Sequence, residues 1–248
     1  MKHPNIPALP ESWSFWWTRN VLWRLRKPTF IVLLGGPGAG KGTLAKQLSK
    51  KLGLAHLSTG DMLRREVANK TELGLSIQEK LASGALLDDS IVLALLHREL
   101  QQPARKRGAI LDGIPRTLPQ AQLLDQLLAA WRVKVDFAVS LEPGVDTLIY
   151  RLSNRLTCKK CGRTYHLVSK PPHVAGICDD EACLGALYQR PDDTPDAITE
   201  RLSAYEREST PIREHYGRGL IVVKPTKETT EDQVFSEVTT ALWAKRST

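Results

Sequence analysis

The stretch Gly35-Gly36-Pro37-Gly38-Ala39-Gly40-Lys41-Gly42-Thr43 decides how this 248-residue chain is read. It contains the spacing Gly-x4-Gly-Lys, in which each residue type answers a physical demand. Glycines let the backbone curl until successive N–H groups face one anion, and a helix starting behind them adds the positive end of its dipole. Lys41 supplies a mobile positive charge. Just before the loop, Thr29-Phe-Ile-Val-Leu-Leu34 reads as a buried parallel strand. Just after it, Leu44, Leu48 and Leu52 recur four apart and mark a helix face. Strand, glycine loop and helix in that order predict phosphate binding.

Further from the loop, Leu54 to Leu57, Ala109-Ile-Leu-Asp112, Val135 to Leu141 and Leu220-Ile-Val-Val223 read as strands separated by longer helical stretches. Together with the first strand they predict an α/β fold with a central five-stranded parallel sheet and helices on both faces. Between Thr157 and Tyr188 the texture changes to cysteines, histidines, glycines and Pro171-Pro172, which predicts an inserted small subdomain. With 42% hydrophobic and 25% charged residues the chain suits one sizeable domain with insertions, or two small ones. Its net charge of +8 fits an anionic partner, whether nucleic acid, acidic membrane or phosphate-bearing substrate. Lys2, Arg19, Arg24, Arg26 and Lys27, against Glu11 alone, put about half of that excess in residues 1–28. No apolar run is long enough for a membrane span, and Trp13 to Trp17 is too short and too closely flanked by arginine for a signal-peptide core. A soluble, cytoplasmic protein is expected.

One detail of the loop narrows the class. Ser or Thr commonly follows the lysine, whereas here Gly42 intervenes before Thr43. Gly-x-Pro-Gly-x-Gly-Lys-Gly-Thr resembles the loop of the adenylate kinase family, and the resemblance extends over about Pro28 to Trp243. Ser58-Thr-Gly-Asp-Met-Leu-Arg64, Gly84-Ala-Leu-Leu-Asp-Asp89 and Asp112-Gly-Ile-Pro-Arg-Thr117 are similar to further family segments, with Ile114 where phenylalanine is usual. The resemblance implies a P-loop nucleotide kinase with a monophosphate-binding insertion and a lid, taking Mg2+ with ATP and phosphorylating AMP. It implies that Gly36, Gly38, Ala39, Gly40, Lys41, Gly42, Thr43, Arg151 and Arg155 bind ATP. It assigns AMP to Thr59, Gly60, Arg64, Ala85, Leu86, Leu87, Gly113, Arg116, Gln120, Arg190 and Arg201, with Gln120 reading adenine. Lys41, Asp112, Arg116, Arg151, Arg155, Arg190 and Arg201 are the implied catalytic set, with Asp112 beside Mg2+ through water. Arginines suit the task because phosphoryl transfer needs positioning and charge neutralisation more than covalent chemistry. Asp192 and Asp193 resemble carboxylates that pair with those arginines as the lid closes. A kinase using GTP or another nucleoside monophosphate is the alternative within the class. An inactive nucleotide-binding module, or a nucleic-acid binder built on the lid and the basic tail, is the alternative outside it. No aromatic stacking platform accompanies the basic residues of the lid, so nucleic acid is not expected as a partner.

All four cysteines lie in the lid segment, spaced Cys158-x2-Cys161-x16-Cys178-x4-Cys183, and the first pair resembles a zinc knuckle. The second pair is wider than the usual x2. Structural Zn2+ on the four thiolates is expected. Asp179 or Asp180 in place of a thiolate, a disulfide, and a metal-free lid with cysteines packed as small hydrophobes are the open alternatives. The predicted partition is 1–27 extension, 28–57 core with the loop, 58–88 monophosphate-binding insertion, 89–155 core, 156–189 lid and 190–248 core, in a monomer. Trp13, Trp16, Trp17 and Trp23 alternate with arginines in the extension, which suits membrane or protein contact, a strap over the protein's own core, or a disordered tail.

Overall fold

The computed structural model of the chain describes residues 28–102 and 107–246; the expectations for residues 1–27 lie outside these. The glycine loop joins β1 (Thr29–Gly35) to α1 (Lys41–Leu52). The chain then runs through β2 (Ala55–Ser58), α2 (Thr59–Ala68), α3 (Glu72–Ser83), α4 (Asp89–Leu100), β3 (Gly108–Asp112), α5 (Leu118–Ala130), β4 (Phe137–Leu141) and α6 (Val145–Ser153). The inserted sheet follows, as β5 (Arg155–Cys158), β6 (Thr164–His166) and β7 (Leu187–Tyr188). A long helix α7 (Pro195–Tyr216), strand β8 (Leu220–Val223) and α8 (Glu231–Arg246) complete the described chain.

The main sheet has five parallel strands in the order β2-β3-β1-β4-β8. Alternation along β1 explains why both faces are covered. Ile31 and Leu33 point into one core with Leu44 and Leu48 of α1, Leu148 and Leu152 of α6, and Val238 and Leu242 of α8. Phe30, Val32 and Leu34 point into the other with Met62, Ile77, Leu95, Leu96, Leu124 and Leu128 from α2 to α5. Each such side chain, removed from water, contributes about 1.5–3 kcal/mol. The sheet has the five strands expected from the sequence, with β2 shifted one residue from Leu54–Leu57 and β4 beginning two residues after Val135.

Helix ends are set by local chemistry. Ser58 and Thr117 cap α2 and α5 by accepting from the N–H of Asp61 and Gln120, at 3.3 and 3.2 Å. The connection from β1 runs to β2 on one side and that from β3 crosses to β4 on the other, so the two diverge at the carboxyl ends of β1 and β3 and open a crevice there, where ligands of open parallel sheets bind. The glycine loop lies at that crevice. The second sheet, β6-β5-β7, is antiparallel and builds a small core from Cys158, Tyr165 and Cys178.

Candidate active site

A cavity of about 850 Å3 runs along the carboxyl ends of the strands, and the glycine loop forms its floor. Gly38 has φ +80, and a Cβ there would lie 2.9 Å from Leu152 Cγ and 3.1 Å from the Leu148 carbonyl oxygen. Glycine is thus demanded both by the left-handed backbone and by α6 beneath. Lys41 folds back over the loop and donates to the carbonyls of Gly35 and Gly36, at 2.7 and 2.8 Å.

Above this floor the cavity wall gathers side chains from distant segments. Arg64 comes from α2, Asp112 and Arg116 from the end of β3 and its loop, and Arg151 from α6. Arg155, Arg190 and Arg201 come from the start of the inserted sheet, its exit and α7. Buried carboxylates hold part of this set. Asp193, whose side chain is 0% exposed, accepts from Arg155 through Nε (2.7 Å) and Nη2, and from Arg201 Nη1 at 3.1 Å. Asp192 takes Arg201 at 2.9 Å, and Asp61 takes Arg64 at 2.6 Å. These are the arginine pairings anticipated for Asp192 and Asp193.

The other arginines donate to neutral oxygens: Arg116 to Gly113 O at 2.9 Å, Arg190 to Thr157 Oγ1 at 2.9 Å, and Arg151 to Thr226 O at 3.0 Å. Arg116 is open to the cavity, yet the protein packed around it, then the neighbouring Arg201, pulls it down to about 10. Burial, then Arg64 and Arg155, does the same to Arg190. Lys41 falls to about 8, chiefly through desolvation; Asp112 opposes the drop while Arg116, Arg201 and Arg155 add to it. Burial also works against the Asp61 charge, but Arg64 outweighs it and keeps the carboxyl below its usual value. Eleven Lys and Arg side chains line the cavity against six carboxylates, with Asp193 buried behind them, so the crevice lacks negative charge.

Most predicted nucleotide-binding residues reach the cavity wall: Gly38, Ala39, Gly40, Lys41, Gly42, Thr43, Gly60, Arg64, Ala85, Leu86, Gly113 and the remaining arginines. Four do not. Gly36 lies under the Lys41 amine, and Leu87 packs into the apolar core. Thr59 turns its hydroxyl onto Gly113 O at 2.9 Å. Gln120, 1% exposed, accepts from the Arg116 N–H and donates to Asp89 Oδ1, both at 2.7 Å. Its amide is thereby engaged with the protein rather than facing the cavity.

The cavity also includes residues the motifs did not single out. His56 touches Asp112, and Tyr150 packs its ring on His166 at 4.9 Å. Residues 227–232, before and into α8, close one end; Lys170 bonds Glu231 there at 2.9 Å, joining the inserted sheet to the core. No local pattern marks these, because each depends on where the fold brings separated segments.

The cysteine cluster stands apart. All four sulfurs lie within 4.8 Å of one another, with Cys158 and Cys183 at 3.5 Å and Cys161 and Cys178 at 3.6 Å, and none is in a disulfide. A tetrahedral zinc with Zn–S of roughly 2.3 Å needs sulfurs about 3.8 Å apart, so the donor set fits Zn2+. The aspartates are engaged elsewhere: Asp180 pairs with Arg163 at 2.8 Å, and Asp179 accepts from His173 N at 2.8 Å. The extra residues fold into a turn in which Cys183 and Leu184 donate to the Asp180 carbonyl, so the wider spacing still returns Cys183 to the cluster. Gly185 makes this possible, since a Cβ there would sit 2.7 Å from Cys158 Sγ. Protein purified without chelator is expected to carry about one zinc per chain, and Gly185→Ala to retain at most about half of it, read by elemental analysis. Full zinc retention by Gly185→Ala would contradict this packing.

A family model described as adenylate kinase matches residues 33–220. A protein named adenylate kinase from Carboxydothermus hydrogenoformans is 39% identical over 212 residues, covering 86% of this chain and 98% of that protein. Its namesake from Methanocella arvoryzae is 42% identical over 212 residues, covering 86% and 97%. One from Staphylococcus epidermidis is 38% identical over 208 residues, covering 84% and 96%.

Proposed function

The chain belongs to the adenylate kinase family, and from that premise we propose how its residues divide the reaction ATP + AMP ⇌ 2 ADP. The reaction is that of a phosphotransferase using Mg2+ with ATP. The observation that carries the residue assignment is the crowding of Lys41 and six arginines around the glycine loop, in a cavity whose Lys and Arg side chains outnumber its carboxylates.

The loop N–H groups and Lys41 cradle the donor phosphates, while Arg151 and Arg155 approach from the lid side. Arg64 and Arg116, with Gly60, Ala85, Leu86 and Gly113, hold AMP; Arg190 and Arg201 span both halves. Phosphates entering this crevice supply the missing negative charge, and the charge spread over the transferring oxygens meets donors already in place. Asp112, facing the cavity beside Gly42, is the carboxylate suited to hold the water shell of Mg2+, which neutralises phosphate charge when bound. Closure of residues 156–189 over residues 28–57 and the 58–88 insertion keeps water from the phosphoryl group. Gln120 reads adenine in this scheme once its amide leaves Asp89 or the Arg116 N–H. The four reduced thiols suit a reducing compartment, and cytoplasmic residence as a monomer belongs to the same reading.

The assignment makes a pH-dependent prediction. At pH 8.5 a lysine with pKa about 8 is mostly neutral, and a bound polyphosphate favours its charged form. Binding of ATP at that pH is therefore expected to take up roughly three-quarters of a proton, fading towards zero at pH 6.5 as Lys41 becomes fully charged beforehand. Calorimetry in two buffers of different ionisation enthalpy measures this; no proton uptake at pH 8.5 would remove Lys41 from the donor site. Acceptor specificity is tested by comparing AMP with CMP, UMP and GMP, and ATP with GTP. AMP with ATP is expected to give the highest kcat/KM, and a higher value for another pair would replace this reading.

A further inference from the structure

His56 lies two residues before the end of β2, where Ser58 pairs with Asp112 across the parallel ladder. Residues two apart in a strand share a face, so the register brings the imidazole alongside the Asp112 side chain. The ring Nε2 lies 3.3 Å from Asp112 Oδ2, with the two side chains 15% and 12% exposed, and both residues line the cavity. The tautomer with its proton on Nε2 makes this contact as a donor to the carboxylate oxygen.

We propose that His56 is a positioning residue for the metal step, holding the Asp112 carboxylate through Oδ2 in the orientation that meets the water shell of Mg2+. The proposal rests on the assignment of Asp112 to Mg2+. Carboxylates that serve a metal are held in turn by hydrogen bonds, and losing such a partner commonly costs 10–100-fold in metal affinity or activity. The same oxygen faces the glycine loop, where Gly42 has no side chain and a Cβ would lie 3.5 Å from Oδ2. His56 is therefore the side chain that fixes this carboxylate from the sheet. Its imidazole is rigid and short, and suits a distance set by strand register.

The test compares the full chain with His56→Ala, His56→Gln and Asp112→Asn. Mn2+ affinity of the ATP-bound protein, read by electron paramagnetic resonance as free Mn2+, is measured beside the Mg2+ concentration giving half-maximal rate. His56→Ala is expected to weaken both by about tenfold or more, with KM for AMP unchanged, and His56→Gln, which keeps an N–H donor at similar reach, to recover most of the loss. Thermal unfolding of each variant separates this effect from loss of fold. Unchanged Mn2+ affinity in His56→Ala, with affinity lost in Asp112→Asn, would overturn the role of His56 and leave that of Asp112. Unchanged affinity in Asp112→Asn would overturn both.

Discussion

Replacing Lys41 by methionine is expected to lower kcat by about 10³-fold or more while leaving the folded protein at least as stable as the parent at pH 7. The two halves of this expectation have one cause. Lys41 sits in a desolvated crevice beside Arg116, Arg201 and Arg155, and its pKa falls from 10.5 to about 8. Between pH 8 and 10.5 the unfolded chain binds the lysine proton while the folded chain releases it, so the Lys41 contribution to stability rises with pH across that window. Below pH 8 the folded protein keeps an ammonium that burial and three arginines disfavour. Methionine removes that cost and retains the apolar stem. What it cannot replace is the charge that meets the phosphate oxygens above the loop. Initial rates with thermal unfolding at pH 7 check both parts; a kcat within a few-fold of the parent would take Lys41 out of phosphoryl transfer.

The second large effect concerns the acceptor. Arg116→Ala is expected to lower kcat/KM for AMP by about 10²–10³-fold, with KM for Mg-ATP moving by less than about threefold. Arg116 donates Nε to Gly113 O and keeps the end of its guanidinium on the cavity wall, opposite the donor loop. The protein packed around it and Arg201 disfavour its charge while its guanidinium stays open to the cavity, so a bound phosphate relieves an existing penalty. Arg116→Lys should recover little, because a point charge cannot reproduce two parallel hydrogen bonds to phosphate oxygens. Equal losses for AMP and Mg-ATP would move Arg116 to the donor side.

Much of the fold was legible because its signals are local. Thr29 to Thr43 holds strand, loop and helix within fifteen residues, and the apolar runs at 109–112 and 220–223 are short and bounded. The arginines that line the cavity stand in recognisable segments, so most could be named from resemblance. Partners across the fold were not legible. His56 meets Asp112 only because β2 lies beside β3 in a particular register, and Lys170 meets Glu231 across 61 residues. Gln120 shows the limit of a motif, since its amide is engaged by Asp89, 31 residues earlier, and by the Arg116 backbone. The cysteine spacing raised alternatives that a linear reading could not settle. The turn at Asp180 and the missing side chain of Gly185 bring Cys183 to the other three sulfurs.

The central claim is that one crevice holds two nucleotides and moves a phosphoryl group between them. Starting the purified protein on ADP and Mg2+ alone tests it most directly, because a donor and an acceptor must then be drawn from one pool. ATP and AMP are predicted to appear in equal amounts until equilibrium, followed by chromatography of the nucleotides. Release of inorganic phosphate with AMP and no ATP, or no change in ADP, would contradict the account.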